Sequence, residues 1–315
     1  MKIRLHTILL ASLVSLYVAA QHPASELKPW KAQWITGPGS ALNLWSGVYP
    51  NELKEYAVFK FRKNFSLEAK PASFVIHVSA DNRYKLYVNG ALVSLGPARG
   101  DVFHWNYETV DIAAHLKAGD NVLAAVVWND GPDKPEAQIS LMTAFIVQGQ
   151  SASEDILNTN ASWKCIKDES HQPLPVRSAG YYVAGPGELL NMHQHITGWE
   201  KVGFDDSGWK PARLVLQGLP KGVFTFAPTS WMLVPSPIPQ MTLREQRMES
   251  VRKASGVNVP ATFPKSKTPV TIPAKTKASL LIDNGVLTNA YPVLQFSGGS
   301  NATFSISYAE ALYIH

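Results

Sequence analysis

Apolar and polar residues alternate in several short segments of the chain between residues 56 and 147. The apolar members of the first two segments are Phe59, Phe61 and Phe65, then Phe74, Ile76 and Val78. An alternation with a period of two is typical of a half-buried β-strand, because successive side chains point to opposite faces. The pattern therefore predicts a series of short strands.

The clearest local signal is a hairpin. A strand pattern carrying Tyr84, Leu86 and Val88 leads directly into Asn89-Gly90. Asparagine and glycine both accept the positive φ that a two-residue type I′ turn requires. We therefore predict that residues 91–95 form the returning strand.

Two further segments extend the strand pattern. Residues 122–128, VLAAVVW, are apolar on both faces and predict a buried central strand, and Ile139, Leu141, Phe145 and Val147 alternate in the next one. Strands at this spacing, with no amphipathic helix between them, are typical of an antiparallel sandwich. The predicted fold is all-β: a jelly-roll or galactose-binding-like β-sandwich, followed by a second, incomplete β-sandwich.

The boundary between the two predicted domains lies in a proline series. Pro235, Pro237 and Pro239 alternate and favour an extended, unpaired backbone. We therefore predict a sugar-binding-like sandwich over residues 28–235 and a second domain over residues 240–315. The second domain is expected to pair a strand at 291–296 with one carrying Phe304, Ile306 and Tyr308 through a Gly298-Gly299 turn, and to be truncated at His315.

The N-terminal pattern predicts export. Lys2 and Arg4 precede an apolar stretch that ends in small residues before Gln21, which is the pattern of a signal peptide over residues 1–20. This stretch is shorter than the roughly 20 residues of a permanent membrane span, so no membrane association is expected after cleavage. We predict a periplasmic or secreted protein. Cys165 is the only cysteine in 315 residues, so no internal disulfide is expected.

The charge of the chain does not indicate nucleic-acid binding. The formal net charge is +5, and two of the positive residues belong to the predicted signal peptide. The densest basic stretch, residues 252–277, interleaves lysine with proline, serine and threonine and contains no tryptophan or tyrosine. A nucleic-acid footprint usually concentrates charge on one face, so this stretch is interpreted as a solvated loop.

Six segments carry a resemblance to a known family. They are, in order, SADNRYKLYVNG, LGPARGD, DIAAHLKAGDNVLAAVVWNDG, GFDDSGWKPA, WMLVPSPIP and YPVLQFSGGSNATFSISYAEALY. Together they resemble the N-terminal region of bacterial α-L-rhamnosidases. The resemblance implies β-sandwiches that precede an (α/α)6 barrel, in which acidic residues perform inverting hydrolysis of terminal α-L-rhamnose. The sequence shows no such run of long helices, so no residue of this chain is assigned a catalytic role.

The resemblance also implies the partners of the chain. These are a rhamnose-containing glycan and a downstream catalytic barrel of the same polypeptide. Two alternatives remain open on the sequence. One is a stand-alone carbohydrate-binding or adhesion protein. The other is the front end of a β-galactosidase-like hydrolase, because sugar-binding sandwiches of that class contain motifs similar to VNG and FDDSGW.

The main candidate sugar site consists of aromatic and polar residues near strand ends: Trp105, Tyr107, Trp128, Asn129 and Asp130. A pyranose stacks its apolar face on an aromatic ring, while its hydroxyl groups need carboxylate or amide partners. The alternative is that a tryptophan at a strand end closes the core. The residues Asp81, Asn82 and Arg83 form a second candidate that could hold a sugar hydroxyl or a calcium ion. The sequence favours an Asx turn there, and no other cofactor is predicted.

Three further groups of residues invite a chemical role. Asp205 and Asp206 are neighbouring acids, but adjacent side chains of an extended chain diverge, so FDDSGW is interpreted as a structural turn packed by Phe204 and Trp209. His193 and His195 have a spacing found in zinc sites, but no third ligand lies near them in the sequence, so they are interpreted as surface residues. Cys165 is interpreted as a small core residue rather than a nucleophile.

Overall fold

The computed structural model describes residues 28–38, 55–175, 184–223 and 231–309, so the predicted signal peptide lies outside the described residues. The strands are β1 (Gln33–Thr36), β2 (Ala57–Leu67), β3 (Val75–Asp81), β4 (Arg83–Val88), β5 (Ala91–Gly96), β6 (Trp105–Asp111), β7 (Gly119–Asn129), β8 (Ala144–Gly149), β9 (Lys164–Lys167), β10 (His171–Pro173), β11 (Glu188–Leu190), β12 (Lys210–Pro211), β13 (Arg213–Gln217), β14 (Leu219–Pro220), β15 (Met232–Pro235), β16 (Ser250–Ser255) and β17 (Ser279–Asp283). The helices of this part of the chain are short 3-10 turns, Ala113–His115, Gly131–Asp133 and Ala152–Leu157. None of them is long and apolar enough to cross a membrane. The predicted all-β class is confirmed.

Two large sheets form the first part of the fold. One has seven strands in the order β13-β1-β8-β3-β6-β15-β14, and the other has six in the order β12-β9-β2-β7-β4-β5. The six-stranded sheet is antiparallel throughout, whereas β15 runs parallel to both β6 and β14. The main hydrophobic core takes apolar residues from both sheets, which confirms the predicted sandwich.

Aromatic rings connect the two sheets across this core. The rings of Phe61 and Phe145 stack with their centroids 5.5 Å apart, and Trp163 meets Phe145 edge-on at 5.8 Å. All three side chains are fully buried or nearly so. Each of these side chains removes a large apolar area from water. The only cysteine of the chain is free, so no disulfide adds to this stabilisation.

Strand β7 is the central strand that the sequence predicts. It pairs with β2 over eleven residues, from Ala57↔Asn129 to Leu67↔Gly119. Its alternate residues face two different apolar clusters: Leu123 and Ala125 belong to the core between the sheets, whereas Val122 and Ala124 pack with other residues on the outer face. A strand buried on both faces is apolar at nearly every position, as the VLAAVVW run is.

The predicted hairpin is also confirmed. Strands β4 and β5 pair antiparallel, with Val88 opposite Ala91. Asn89 and Gly90 between them have φ values of 51° and 89°. Both lie in the left-handed region that a type I′ turn needs, so the local sequence alone determines this turn.

The strand predicted around Ile139 begins later than the sequence pattern indicates. Leu141 belongs to no strand, and β8 starts only at Ala144. The backbone N–H groups of Leu141 and Met142 donate to the carboxylate of Asp81 instead of to a neighbouring strand. Because these donors are already used, residues 139–143 cannot join the ladder.

A second compact unit begins at Thr242. Its described part contains one two-stranded antiparallel sheet, β16 with β17. The strands predicted at 291–296 and around Phe304 are wrong, since these residues form no strand. Gly298 and Gly299 do adopt positive φ, so the predicted turn is present. The apolar side chains of these two segments are largely exposed, Val293 to 76%, and an unsupported hairpin gains too little burial to form a ladder.

Candidate functional site

The structure divides the predicted sugar-site residues between two sheets. Trp105 and Tyr107 lie on β6 of the seven-stranded sheet, whereas Trp128 and Asn129 end β7 of the six-stranded sheet. Asp130 follows β7 directly. The five residues therefore do not form one site, because Trp105 and Tyr107 lie on a different sheet from Trp128 and Asn129.

Asp81 is the centre of a buried hydrogen-bond network. Its Oδ1 accepts hydrogen bonds from Ser140 Oγ at 2.7 Å and Asn129 Nδ2 at 3.4 Å. Its Oδ2 accepts from the backbone N–H of Leu141 at 2.7 Å and from Trp231 Nε1 at 3.0 Å. Burial raises the pKa of Asp81 to about 6, although these hydrogen bonds oppose the shift. A sugar hydroxyl or a calcium ion would have to displace these donors, so the arrangement favours a structural role.

Asn82 and Trp105 line a small concavity together with Arg83 and Gln138. Asn82 Nδ2 donates to the carbonyl oxygen of Ile139 at 2.8 Å, and Trp105, only 5% exposed, donates from Nε1 to the Ala80 carbonyl. The concavity has a volume of about 20 Å³. Small-molecule pockets usually measure several hundred Å³, so this space does not admit a pyranose ring.

Tyr107 belongs to an aromatic cluster on the outer side of the seven-stranded sheet. Its ring meets Trp30 and His77 edge-on, with both centroid distances at 5.1 Å, and Trp30 stacks on His77 at 5.9 Å. The three rings are half-buried against one another. Each ring therefore uses part of its surface inside the cluster, which leaves less area for a ligand.

Trp128 and Asp130 lie with other polar groups on the outer side of the six-stranded sheet. Trp128 is half-buried and stands opposite Arg83 in the β4–β7 pairing. Burial raises the pKa of the neighbouring Asp130, while the Arg83 charge opposes the shift and the carboxylate of Glu188 adds to it. The hydroxyl of Tyr56 donates to Glu188 Oε1 at 3.3 Å. We call these five residues the Trp128 surface.

The chemistry of the Trp128 surface suits a sugar. It combines an indole, two carboxylates, a guanidinium and a phenol, all of them at least partly accessible to solvent. An indole face supports the apolar side of a pyranose, and the charged groups can accept or donate hydrogen bonds to its hydroxyls. Glu188 was not predicted from the sequence, because it lies 60 residues from Trp128 and only strand pairing brings it near.

His195 joins two residues that the sequence analysis missed. His195 Nδ1 lies 3.7 Å from Asp168 Oδ2, and His171 Nε2 lies 3.4 Å from the same oxygen. His193 is exposed on its loop, and its backbone N–H donates to Asn191 Oδ1. We call Asp168, His171 and His195 the Asp168 cluster. The one sequence signal for it is the spacing of Asp168 and His171, which are three residues apart.

The Asp205-Asp206 pair does not form facing carboxylates. Asp206 Oδ2 lies 3.1 Å from Arg62 Nε, and its Oδ1 lies 2.7 Å from Lys164 Nζ, so these cations hold the pKa of Asp206 below its usual value despite burial. Asp205 is exposed and accepts from the backbone N–H of Ser207. The segment is the structural turn predicted from FDDSGW.

Cys165 is buried, with 1% of its surface exposed, and belongs to the core between the sheets. Burial raises the pKa of its thiol well above the usual value. The thiolate is the nucleophilic form, so the structure supports the predicted core role.

Comparison with known proteins identifies the family. The sequence profile described as the alpha-L-rhamnosidase N-terminal domain matches residues 69–255. An alpha-L-rhamnosidase of Alteromonas sp. (strain LOR) is 24% identical over 298 residues, and this alignment covers 90% of the chain but 28% of that protein. A second, from Streptomyces avermitilis, is 25% identical over 196 residues, covering 59% of the chain and 16% of the relative. The chain thus spans little more than a quarter of the first relative's length.

The fold gives the same result. The crystal structure of a GH78 family rhamnosidase of Bacillus sp. GL1 superposes with a TM-score of 0.59 at 26% identity, covering 74% of this chain and 22% of that one. The matched profile residues make up more than half of the chain, and they include most strands of the two large sheets. This chain belongs to the alpha-L-rhamnosidase N-terminal domain family.

Proposed function

We propose that this chain is the accessory, carbohydrate-binding and scaffolding region of an exported α-L-rhamnosidase that acts on rhamnose-containing glycans. Bond cleavage is left to a catalytic domain elsewhere in the same polypeptide. The observation that carries the binding role is the Trp128 surface, which combines an indole face with carboxylate and guanidinium groups near the end of β7.

The state of the carboxylates supports binding rather than cleavage. An inverting glycosidase needs a protonated acid and a free base about 6.5 to 9.5 Å apart. The pKa of Asp130 is raised by burial and the pKa of Glu188 is lowered, as an acid and a base would require. The Oε1 atom of Glu188, however, already accepts from Tyr56 and contacts His171 Nδ1, and His171 holds the pKa of Glu188 low. A carboxylate with these partners is a poor base but a suitable fixed acceptor.

Binding is tested by calorimetric titration of the purified chain with L-rhamnose. We expect Trp128→Ala to weaken binding by at least about tenfold, because the stacking face is lost. Tyr107→Ala is the matched control, since it removes a half-buried aromatic ring from the other sheet. Equal losses in the two variants, or no rhamnose binding by the wild-type chain, would contradict the binding role.

Catalysis is tested with a chromogenic aryl α-L-rhamnoside. The purified chain should release no aglycone above the uncatalysed rate. If the chain does turn over this substrate and Asp130→Asn or Glu188→Gln abolishes the turnover, the Trp128 surface is an active site and the accessory role is wrong.

Export rests on the N-terminal pattern of residues 1–20. Expression of the chain with this segment in a Gram-negative host should deliver a shortened protein to the periplasm, and N-terminal sequencing should begin at Gln21. A full-length product that stays in the cytoplasmic fraction would exclude this part of the proposal.

A further inference from the structure

One carboxylate oxygen of Asp168 is fixed by hydrogen bonds within its own turn, and the other faces basic side chains. Its backbone N–H donates to the Val58 carbonyl of β2 at 2.8 Å. Its Oδ1 accepts from the backbone N–H and the hydroxyl of Ser170 at 3.1 and 2.6 Å. The carboxylate therefore cannot rotate freely, and Oδ2 points at His171, His195 and the ammonium group of Lys60.

The spacing of the three candidate ligand atoms in the Asp168 cluster matches a small divalent ion. His171 Nε2 and His195 Nδ1 lie 3.4 and 3.7 Å from Asp168 Oδ2, and all three atoms lie within 4.8 Å of one another. Tetrahedral zinc with bonds of about 2.0 to 2.2 Å separates its ligand atoms by about 3.3 to 3.6 Å. To surround one ion, the two rings would have to move closer together, and His195 Nδ1 would have to leave the Ser170 hydroxyl, which lies 3.1 Å from it.

His171 lies between two carboxylates, and its Nε2 faces Asp168 Oδ2. Its second ring nitrogen, Nδ1, contacts Glu188 Oε1, which also accepts the hydroxyl of Tyr56. A carboxylate on the far nitrogen is the usual outer-shell partner of a metal-bound histidine, because it fixes the ring and makes the ligating nitrogen more basic. Strands β10 and β11, which carry His171 and Glu188, pair directly and hold the two residues together.

The site is also accessible. The side chains of His171 and His195 are 14% and 22% exposed, whereas Asp168 is 1% exposed. Three protein ligands with one open side are typical of zinc sites that keep a water molecule as the fourth ligand.

A metal ion at this site would compete with the Lys60 ammonium group for the Asp168 carboxylate. Its Nζ lies 2.6 Å from Asp168 Oδ2, but it also donates to the Ile196 carbonyl at 3.0 Å and lies 5.3 Å from the centre of the Trp199 ring. The ammonium therefore keeps a carbonyl and an aromatic face as partners when Oδ2 turns to an ion. Its charge lowers the affinity of the site for a cation.

We propose that Asp168, His171 and His195 form a binding site for a zinc-type divalent transition-metal ion, with Glu188 as the outer-shell partner of His171. Two imidazole nitrogens and one carboxylate oxygen suit zinc, whereas calcium takes six to eight oxygen ligands. The bound ion would connect the end of β9, the β10–β11 hairpin and the loop that carries His195. The ion would fix these segments beside the Trp128 surface.

The test is calorimetric titration of the full chain with zinc chloride alone, with calcium chloride as the comparison ion. We expect one zinc ion per chain and no calcium binding at this site. His195→Ala and His171→Ala should each weaken zinc binding by at least about tenfold. His193→Ala is the matched control, because it removes an exposed histidine two residues away in the same loop, and it should bind zinc as the wild-type chain does.

A measurement on the wild-type chain keeps the test valid if a variant fails to fold. In proton–nitrogen correlation spectra of the imidazole groups, zinc should shift the signals of His171 and His195 and leave those of His193 in place. Absence of zinc binding by the folded chain, or equal affinities of the His195→Ala and His193→Ala variants, would overturn the proposal. Shifts confined to other histidines would do the same.

Discussion

Arg62 and Asp206 form a buried ion pair, in which Arg62 Nε lies 3.1 Å from Asp206 Oδ2. This pair joins the outer face of β2 to the loop that covers it. The side chain of Arg62 has no exposed surface. Its Nη1 donates to the backbone carbonyls of Trp199 and Lys201 in the same loop, and its Nη2 donates to Asn64 Oδ1. Asp206 also accepts from Lys164. The FDDSGW turn therefore places a counter-charge over a buried arginine, and not a catalytic acid in a cleft.

This pair predicts a large loss of stability when its acid is removed. Asp206→Ala leaves the Arg62 charge buried without its carboxylate, and removal of one partner of a buried pair costs about 3 kcal/mol. We expect a corresponding fall in the free energy of unfolding, measured by urea denaturation. Asp205→Ala is the matched control, because its exposed carboxylate accepts a hydrogen bond from Ser207 in the same turn, and it should lower the denaturation midpoint much less than Asp206→Ala does. Similar midpoints for the two variants would contradict this account of the turn.

The β4–β5 hairpin gives a second prediction. Gly90 has a φ of 89°, and a side chain in the left-handed region costs about 1 kcal/mol or more. Gly90→Ala should therefore lower the free energy of unfolding by about that amount. Gly208→Ala is a suitable control, since a methyl group there meets no atom within 4 Å and the backbone has no positive φ. If Gly90→Ala were as stable as Gly208→Ala, strain at the turn would not be the determining factor.

Asp81 predicts how stability depends on pH. Burial raises its pKa to about 6, above the ordinary value of 3.8, so the folded chain binds this proton more tightly than the unfolded chain does. The stabilisation is complete below about pH 4, falls as the pH rises from about 4 to about 6, and is absent above that range. The difference between wild-type and Asp81→Asn unfolding free energies, measured at a series of pH values, should therefore change across this window. A difference that is flat with pH would contradict the raised pKa.

Local features of the fold could be predicted from the sequence, because the information lies within a few residues. Asn89-Gly90 specifies its turn alone, and the apolar run of β7 indicates a strand buried on both faces without reference to its partners. The alternation of Phe304, Ile306 and Tyr308 is just as clear, yet no strand forms there. A period of two shows which face would be buried, but it does not supply the neighbour that buries it.

The candidate sites could not be predicted in the same way, because they depend on which strands become neighbours. Trp105 and Trp128 are similar in sequence context, but β6 and β7 belong to different sheets. Glu188 reaches the Trp128 surface, and His195 reaches Asp168, only through the pairing of β10 with β11 and the loop that follows. A spacing rule applied along the chain finds His193 and His195, but the structure places only His195 of this pair beside Asp168.

Lys60 provides the last prediction, which rests on the proposed zinc site. Its ammonium lies 2.6 Å from Asp168 Oδ2 and competes with any cation for that oxygen. Lys60→Met removes the competing charge and keeps an unbranched apolar stem. The metal-free variant should unfold at a lower temperature than the wild-type chain, because Asp168 loses its buried partner. Zinc should then raise the unfolding temperature of Lys60→Met more than that of the wild-type chain.

Lys63→Met is the control for this prediction. This lysine lies on the same strand but donates to Ser162, so its zinc response should equal that of the wild type. A zinc response of Lys60→Met no greater than that of Lys63→Met would show that Lys60 does not compete with the ion, and Asp168 Oδ2 would then not be one of its ligands.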